Sequence, residues 1–107
     1  MAKPGTPTAS MYEKAVAMAE EAGLTDYFMG HAQKAGFVGH GVGIDVNELP
    51  VLAPKSRDVL AVGNIIAIEP KFVIPSVGAV GIENTYVVTE DGLDFITDAP
   101  EYLKELY

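Results

Sequence analysis

The sequence predicts an α+β domain in which helices pack on a mainly antiparallel sheet. Two segments with helical features precede residue 37, and short runs rich in β-branched and aromatic residues follow it. Turn signals built from proline, glycine and acidic residues separate those runs, so consecutive strands are expected to pair as neighbours. The chain has 107 residues, of which 49% are hydrophobic, and this suits one domain with one core.

Composition and charge exclude several classes of binding partner and site for this protein. The formal net charge is −8 with only seven lysines and arginines and no basic run, which argues against nucleic acid or an anionic membrane surface. The absence of cysteine excludes disulfides and thiolate metal ligands. No stretch approaches the length of a membrane span and no signal-peptide pattern is present, so we expect a soluble, cytoplasmic protein.

The first helix is predicted to follow a flexible lead-in. Residues 1–9 contain two prolines and a glycine and almost nothing to bury, so the domain is expected to span residues 10–107. Ser10 and Glu13 have the spacing of a capping box, and Gly23 supplies the stop. The residues expected to face the core recur at helical spacing: Met11, Ala15, Met18 and Ala22.

A second, shorter helix is predicted directly afterwards. Thr25 can cap a helix of about Asp26 to Ala35, which would end at Gly36. Gly30 weakens that helix because glycine is a poor helix former. His31 lies among polar neighbours in this segment and is interpreted as a solvated surface histidine.

The segment of residues 37–50 is rich in alternating glycines. As a strand it would place Gly39, Gly41 and Gly43 on one face, which is unfavourable unless another group approaches the backbone closely. The run lacks the spacing of a dinucleotide or phosphate loop. His40 stands within it and, judged alone, is more often a hydrogen-bonded core histidine than a metal ligand. The following segment, Pro50 to Asp58, is predicted to be a loop.

A β-hairpin over Asn64 to Thr89 is predicted to form the centre of the domain. Two runs rich in β-branched and aromatic residues flank a turn signal at Pro75 to Gly78. Glu69 and Glu83 are equidistant in sequence from Ser76, so the two carboxylates are expected to lie opposite each other, within about a residue. Like charges placed there destabilise the pair, so it must share a proton or a cation.

The chain is expected to end with one more strand and a helix. Glu90-Asp91-Gly92 is a turn signal, and Leu93 to Thr97 returns as a short strand. Ala99 to Tyr107 is predicted to be a helix or helical turn that covers the sheet with Tyr102, Leu103 and Leu106.

His40, Glu69 and Glu83 together form a candidate metal-ligand set. One imidazole and two carboxylates are a mixed nitrogen and oxygen set suited to Mn, Fe, Co or Zn. The structural alternative is that Glu83 merely occupies the exposed face of its strand while Glu69 is a charge at the end of a loop. Spacing alone leaves both interpretations open.

Three separated motifs resemble the pita-bread metallopeptidases, the family of methionine aminopeptidases, Xaa-Pro dipeptidases, Xaa-Pro aminopeptidases and creatinase. The motifs are G-H-G-V-G at residues 39–43, I-E-P at residues 68–70 and G-I-E-N-T-Y-V-V-T-E-D-G at residues 81–92. The resemblance implies an α+β fold that forms the second half of the pita-bread fold. It also implies hydrolysis of N-terminal or Xaa-Pro peptide bonds by a water that bridges two divalent metals, Mn, Co, Fe or Zn.

The resemblance implies roles for the three candidate ligands. His40, Glu69 and Glu83 would bind the metals, with Glu83 bridging both and Glu69 helping to deprotonate the attacking water. His40 and Glu69 are therefore the candidate catalytic residues, and a peptide is the expected substrate of the parent enzyme.

Three positions depart from the family pattern. The family's other two ligands are aspartates upstream of the histidine motif, and the only aspartate before His40 is Asp26. Many members carry a substrate-contacting histidine seven residues after the ligand histidine, and Asn47 stands there, a weak candidate for substrate binding. Proline-specific members usually carry an arginine two residues before the second glutamate, where this chain has Gly81.

These departures predict a C-terminal fragment with little or no peptidase activity and weak or no metal binding by itself. A half-domain also exposes surface built to be buried, so we expect a homodimer that mimics the missing half. The alternative is a non-catalytic binding or assembly module that keeps the half-fold.

Overall fold

A computed structural model describes residues 2–30 and 35–101. The helix and strands confirm the predicted α+β class with a mainly antiparallel sheet. The elements, in chain order, are helix α1 (Thr8–Glu21), a 3-10 helix (Thr25–Tyr27), β1 (Gly39–Gly41), β2 (Glu48–Leu52), β3 (Ile65–Ile68), β4 (Lys71–Ile74), β5 (Gly78–Gly81), β6 (Asn84–Thr89) and β7 (Gly92–Phe95).

Five strands form the main sheet in the order β2-β1-β3-β6-β7, and every neighbouring pair is antiparallel. Strands β4 and β5 form a separate two-stranded ribbon. The turn predicted at residues 90–92 joins β6 to β7, as expected, although β7 ends at Phe95 rather than at Thr97. The predicted loop over residues 50–58 is wrong at its start, because residues 50–52 belong to β2, in which Val51 and Leu52 pair with β1.

The predicted hairpin is confirmed in register but is divided between two ladders. Ile68 pairs with Asn84 in the main sheet, and Lys71 pairs with Gly81 in the ribbon. Both pairs are centred on Ser76, so one register runs through the whole hairpin. Glu69 and Glu83 lie in the interval between the two ladders. Pro70 follows Glu69 and has no N–H to donate, which is consistent with a break in pairing at that point.

Helix α1 begins earlier than predicted. Its N-cap is Pro7, with no side-chain cap, and Ser10 Oγ donates to the Pro7 carbonyl at 2.7 Å, so the predicted capping box is wrong. The predicted stop is confirmed: Gly23 has φ 72° and donates to the Glu20 carbonyl, while Leu24 donates to Ala19. These two bonds form a Schellman motif, which glycine favours because it adopts positive φ at low cost.

Residues of the predicted lead-in contact the body of the domain. Gly5 donates to the Leu60 carbonyl at 2.8 Å, and Leu60 donates back to Thr6 at 2.9 Å. Thr8 is fully buried and its hydroxyl donates to Ser56 Oγ at 2.9 Å. The expectation that this segment has almost nothing to bury is therefore wrong for Thr8. The domain boundary at residue 10 stays a prediction.

The core lies between α1 and the sheet. One cluster joins the helix to the strands through Ala19, Phe28, Met29, Val38 and Leu52, and a second contains Leu60, Ile66 and Val88. The predicted helix stripe is wrong for Met18 and Ala22, which are exposed. The face of α1 that packs on the first cluster contains Met11, Tyr12, Ala15, Val16 and Ala19.

The second helix is much shorter than predicted. Among the described residues of this segment, 25–30 and 35, the helical ones are Thr25–Tyr27, and Phe28 then forms an isolated bridge with Phe72. Met29 and Gly30 have positive φ, which no helix continues through. Residues 31–34, with His31, lie outside the described residues. At the other end, residues 99–101 are not helical, and the rest of the predicted terminal helix also lies outside the described residues.

Candidate metal centre

His40 is held at the centre of β1, between β2 and β3. The neighbouring glycines leave room for this packing. A Cβ on Gly39 would lie 2.5 Å from the Ala67 carbonyl oxygen, and one on Gly41 would collide with the Leu49 carbonyl. Gly39 and Gly41 are therefore required by close backbone approach, which is the condition under which glycines were expected in this strand.

The hydrogen bonds of His40 determine which ring nitrogen can bind a cation. Nδ1 lies 2.9 Å from the Gly41 carbonyl oxygen, which can only accept, so Nδ1 carries a hydrogen and donates it. Nε2 lies 2.8 Å from Glu69 Oε2. The imidazole is buried, with a side-chain exposure of 7% against 30% for Glu69. The ring of Phe37 contacts it edge-on, with centroids 6.1 Å apart.

Glu69 reaches His40 because the chain after β3 stays beside β1. The backbone N–H of Glu69 donates to the Val38 carbonyl at 2.8 Å, just before β1 begins. Residues 69 and 40 are 29 positions apart in sequence, and only this pairing of β1 with β3 brings them together.

Glu83 completes the cluster from the other side of the hairpin. Ligand atoms of His40, Glu69 and Glu83 all lie within 4.8 Å of one another. Although Glu83 is exposed, its pKa is raised, first by loss of water around its carboxyl group and then by the charge and hydrogen bond of Glu69. The nearby His40 partly offsets the rise in this pKa. The predicted crowding of the two carboxylates is thus present in the structure.

The donor set fits a divalent transition-metal ion. With Nδ1–H bonded to a carbonyl, Nε2 faces the two carboxylates, and a bound cation would take the place of the hydrogen that Nε2 and Glu69 Oε2 share. Such a bond from the other ring nitrogen is the usual support of a metal-binding histidine. Ligand atoms about 2.0–2.2 Å from one cation lie at most about 4.4 Å apart, so the 4.8 Å cluster needs only a small side-chain rotation to close on an ion.

Two open cavities flank the cluster. One of about 330 Å³ lies on the His40 side and is lined by Phe37, His40, Asn47, Glu48, Leu49 and Val51. Asn47, predicted to be a weak substrate contact, therefore lines a cavity beside the cluster. The other, of about 300 Å³, lies on the carboxylate side and is lined by Glu69, Pro70, Lys71, Ala79, Gly81, Ile82 and Glu83. Lys71 was missed by the sequence reasoning, although its place opposite Gly81 follows from the hairpin register.

The family of the chain follows from comparison with known proteins. The model of a family described as metallopeptidase family M24 matches residues 1–90. The chain belongs to metallopeptidase family M24. The predicted resemblance to the pita-bread metallopeptidases is confirmed, and a metal-dependent peptidase family is the setting in which the cluster of His40, Glu69 and Glu83 is interpreted.

Relatives of this M24 chain include prolidases. An Xaa-Pro dipeptidase from Pyrococcus furiosus is 38% identical over 96 residues, which are 90% of this chain and 26% of that protein. The solved prolidase from Pyrococcus furiosus superposes with a TM-score of 0.83 at 35% identity, covering 94% of this chain and 28% of that one. The chain spans about a quarter of the length of the curated relatives that it matches.

The X-Pro aminopeptidase from Thermotoga maritima supports the fold alone. It gives a TM-score of 0.84 at 24% identity and covers 95% of this M24 chain and 27% of that one. Within residues 2–30 and 35–101, no helix is long and apolar enough to cross a membrane. The cytoplasmic location stays a prediction.

Proposed function

We propose that this chain supplies His40, Glu69 and Glu83 to the dinuclear metal centre of a peptidase that hydrolyses N-terminal or Xaa-Pro peptide bonds. The observation that carries the proposal is the convergence of three ligand atoms within 4.8 Å, with His40 Nε2 directed at Glu69. The names of the relatives, Xaa-Pro dipeptidase and prolidase, support the substrate class.

Each residue has a distinct task in this proposal. Two divalent cations, when bound, would acidify water and stabilise the oxyanion of the attacked carbonyl. Glu83 would hold both cations, which removes the repulsion between its own charge and that of Glu69. Glu69 would hold one cation and accept the proton of the attacking water. His40 would keep Nε2 on the centre because its Nδ1–H is held by the Gly41 carbonyl.

The three residues are fewer than a dinuclear centre needs. The family pattern adds two aspartates upstream of the histidine motif, and residues 1–39 contain only Asp26, which lies in the 3-10 helix. We therefore expect the isolated chain to bind metal weakly and to show little or no turnover.

The deciding experiment compares the full-length gene product with this 107-residue chain, with both proteins supplied with Mn²⁺ and an Xaa-Pro dipeptide. The gene product should hydrolyse the peptide, and Glu83→Gln should abolish turnover while Glu90→Gln, in an exposed turn, should not. Strong metal-dependent turnover by the isolated chain would overturn the proposal that it is incomplete.

A second candidate is a non-catalytic binding or assembly module. Asn47 and Gly81 favour it. Asn47 lacks the titratable proton of the histidine that many family members have at this position, and Gly81 lacks the arginine side chain of proline-specific members. A folded full-length gene product that binds no Mn²⁺ and hydrolyses no dipeptide would decide for this module.

A further inference from the structure

The backbone pairing of β1 places the side chain of Val51 against His40. The Val42 N–H donates to the Ile65 carbonyl of β3 at 2.8 Å. Residues two apart in a strand direct their backbone groups to the same side, so His40 also directs its own towards β3 rather than towards β2. His40 and Val51 are therefore a pair without backbone hydrogen bonds between them, in which opposite Cα atoms lie about 4.5 Å apart and the side chains are close. Both residues line the cavity of about 330 Å³.

Val51 is held from the outer side of the sheet by Asp58. The ladder between β1 and β2 is irregular just after this pair, because His40 pairs with Val51 whereas Gly41 pairs with Glu48. Residues 49 and 50 of β2 are thus passed over, and β1 does not fix Val51 on that side. The Val51 N–H points to the outer edge of β2 and donates to Asp58 Oδ2 at 3.0 Å. The Asp58 carboxylate therefore supplies a hydrogen bond to the Val51 backbone that β1 does not.

Asp58 is itself anchored to the start of helix α1. The Thr8 N–H donates to the Asp58 carbonyl oxygen at 3.0 Å, and Thr8 is fully buried. The Asp58 N–H donates to Ser56 Oγ at 3.1 Å. Because the backbone of Asp58 is fixed in this way, its carboxylate can hold the edge strand in place with a charge-assisted hydrogen bond.

We propose that Asp58 is a positioning residue for the candidate metal centre. By holding the Val51 backbone, Asp58 keeps the Val51 side chain packed against the His40 imidazole. Because the imidazole then cannot tilt towards β2, its Nε2 stays directed at Glu69. The inference rests on the proposed function, in which His40 is a metal ligand.

The first measurement is the nuclear Overhauser effect between the Val51 methyl protons and the His40 ring protons in the metal-free 107-residue chain. The chain has two histidines, so His31→Gln assigns the ring signals of His40. The effect should be present in wild type and lost in Asp58→Ala. Asp58→Asn should retain it, because the amide oxygen still accepts the Val51 N–H.

The second measurement is the Mn²⁺ affinity of the full-length gene product, determined by titration calorimetry. Asp58→Ala should weaken binding by about tenfold, the lower end of the effect of residues that support metal ligands, and Asp58→Asn should keep the wild-type affinity. Ser56→Ala removes one donor to the same carboxylate and should weaken binding by a smaller factor, so it replaces Asp58→Ala if that variant does not fold.

Two controls separate positioning from a general loss of stability. Asp94→Ala removes the same charge from an exposed position on β7, and Ala17→Gly destabilises an exposed position of α1. Both should bind Mn²⁺ with the wild-type affinity and keep the nuclear Overhauser effect.

The two measurements also separate this inference from the proposed function. If Asp58→Ala keeps the nuclear Overhauser effect or the wild-type Mn²⁺ affinity, or if Ala17→Gly weakens Mn²⁺ binding equally, the positioning role is wrong and the metal centre stands. If the wild type binds no Mn²⁺, the proposed function fails. The nuclear Overhauser effect then decides by itself whether Asp58 holds Val51 against His40.

Discussion

The Asp58 side chain holds Val51, the residue of edge strand β2 that lies opposite His40. The backbone N–H of Val51 donates to Asp58 Oδ2 at 3.0 Å, and Val51 is the residue of β2 that pairs with His40. Ser56 Oγ donates to the same carboxylate oxygen at 3.2 Å, and the Thr8 hydroxyl at the start of α1 donates to Ser56 Oγ. This network ties helix, loop and edge strand together next to the candidate centre.

Replacing Asp58 with alanine should destabilise the chain. The change removes the acceptor of the Val51 N–H and of the Ser56 hydroxyl, which we expect to lower the free energy of unfolding by about 1–3 kcal/mol. Urea denaturation followed by circular dichroism measures this effect. The matched control is Asp94→Ala, which removes the same charge from an exposed position on β7. Equal effects of the two substitutions would show that the loss of charge, rather than the loss of these hydrogen bonds, lowers the free energy of unfolding.

Adding a methyl group at Gly81 should also be costly. The new Cβ of Gly81→Ala would crowd the Lys71 Cβ and the Pro70 carbonyl, neither of which can rotate away, so a loss of about 1–3 kcal/mol is expected. Gly36→Ala is the control, because a Cβ there meets nothing within 4 Å and Gly36 is not in the left-handed region. It should be neutral or stabilising by up to about 1 kcal/mol. A Gly81→Ala chain with unchanged urea midpoint would contradict the crowding of this cross-strand pair.

The stability of the metal-free chain should depend on the ionisation of Glu83. Its pKa in the folded state is raised above the ordinary 4.5, so between 4.5 and that raised pKa the folded chain holds more protons than the unfolded chain. Stability contributed by Glu83 therefore increases as the pH falls through this window. At pH 7, Glu83→Gln should be more stable than wild type, and the difference should vanish below pH about 4.5.

Urea titrations of wild type and Glu83→Gln across the pH range from 4 to 8, about one unit apart, check this prediction. Glu13→Gln, on the exposed face of α1, removes one negative charge far from the cluster and serves as the control. A variant less stable than wild type at pH 7 without metal would contradict the crowding of the two carboxylates.

Ionised Glu83 should destabilise the metal-free chain but should be favourable when metal is bound. Mutating a residue that only supports a metal ligand typically lowers metal affinity by at least about tenfold. Removal of a ligand itself should cost no less, so Glu83→Gln and Glu69→Gln should each weaken Mn²⁺ binding by at least about tenfold. Calorimetry on the full-length gene product measures the affinity, with Glu90→Gln as control. Tight binding that survives Glu83→Gln would show that Glu83 is not a ligand.

Of the two edges of the sheet, the β7 edge is the expected site of self-association. Within the described part of the chain, β7 has no strand on its outer side, and Phe95 and Ile96 are 61% and 52% exposed there. An unpaired edge with apolar side chains favours pairing with a second copy. Light scattering at high protein concentration should show a dimer, and Phe95→Lys should dissociate it. Val77→Lys, which adds the same charge at the exposed turn between β4 and β5, should not. A wild-type monomer would rule out the predicted homodimer.

Local features determined what could be predicted without the structure. The hairpin register follows from the turn signal and the position of Ser76, because pairing across a short turn is set by the sequence on either side of it. The end of α1 follows from Gly23, since a residue with positive φ is required there. The three candidate ligands were assembled from motifs that resemble a family, and their chemistry alone left the structural alternative open.

Pairing between distant segments decided those features of the fold and the site that local sequence signals do not predict. His40 meets Glu69 only because β1 inserts between β2 and β3, and no local signal near residue 40 reports that pairing. Thr8 is buried because residues 56–60 return to cover it, so a polar segment that resembles a lead-in becomes part of the domain. The register placed Lys71 beside the two carboxylates, but only the packed hairpin shows that Gly81 makes room for it. The physical reason is the same in each case: the sequence encodes short-range turns and caps directly, whereas contacts between distant segments depend on burial and backbone pairing that form only when the whole chain packs.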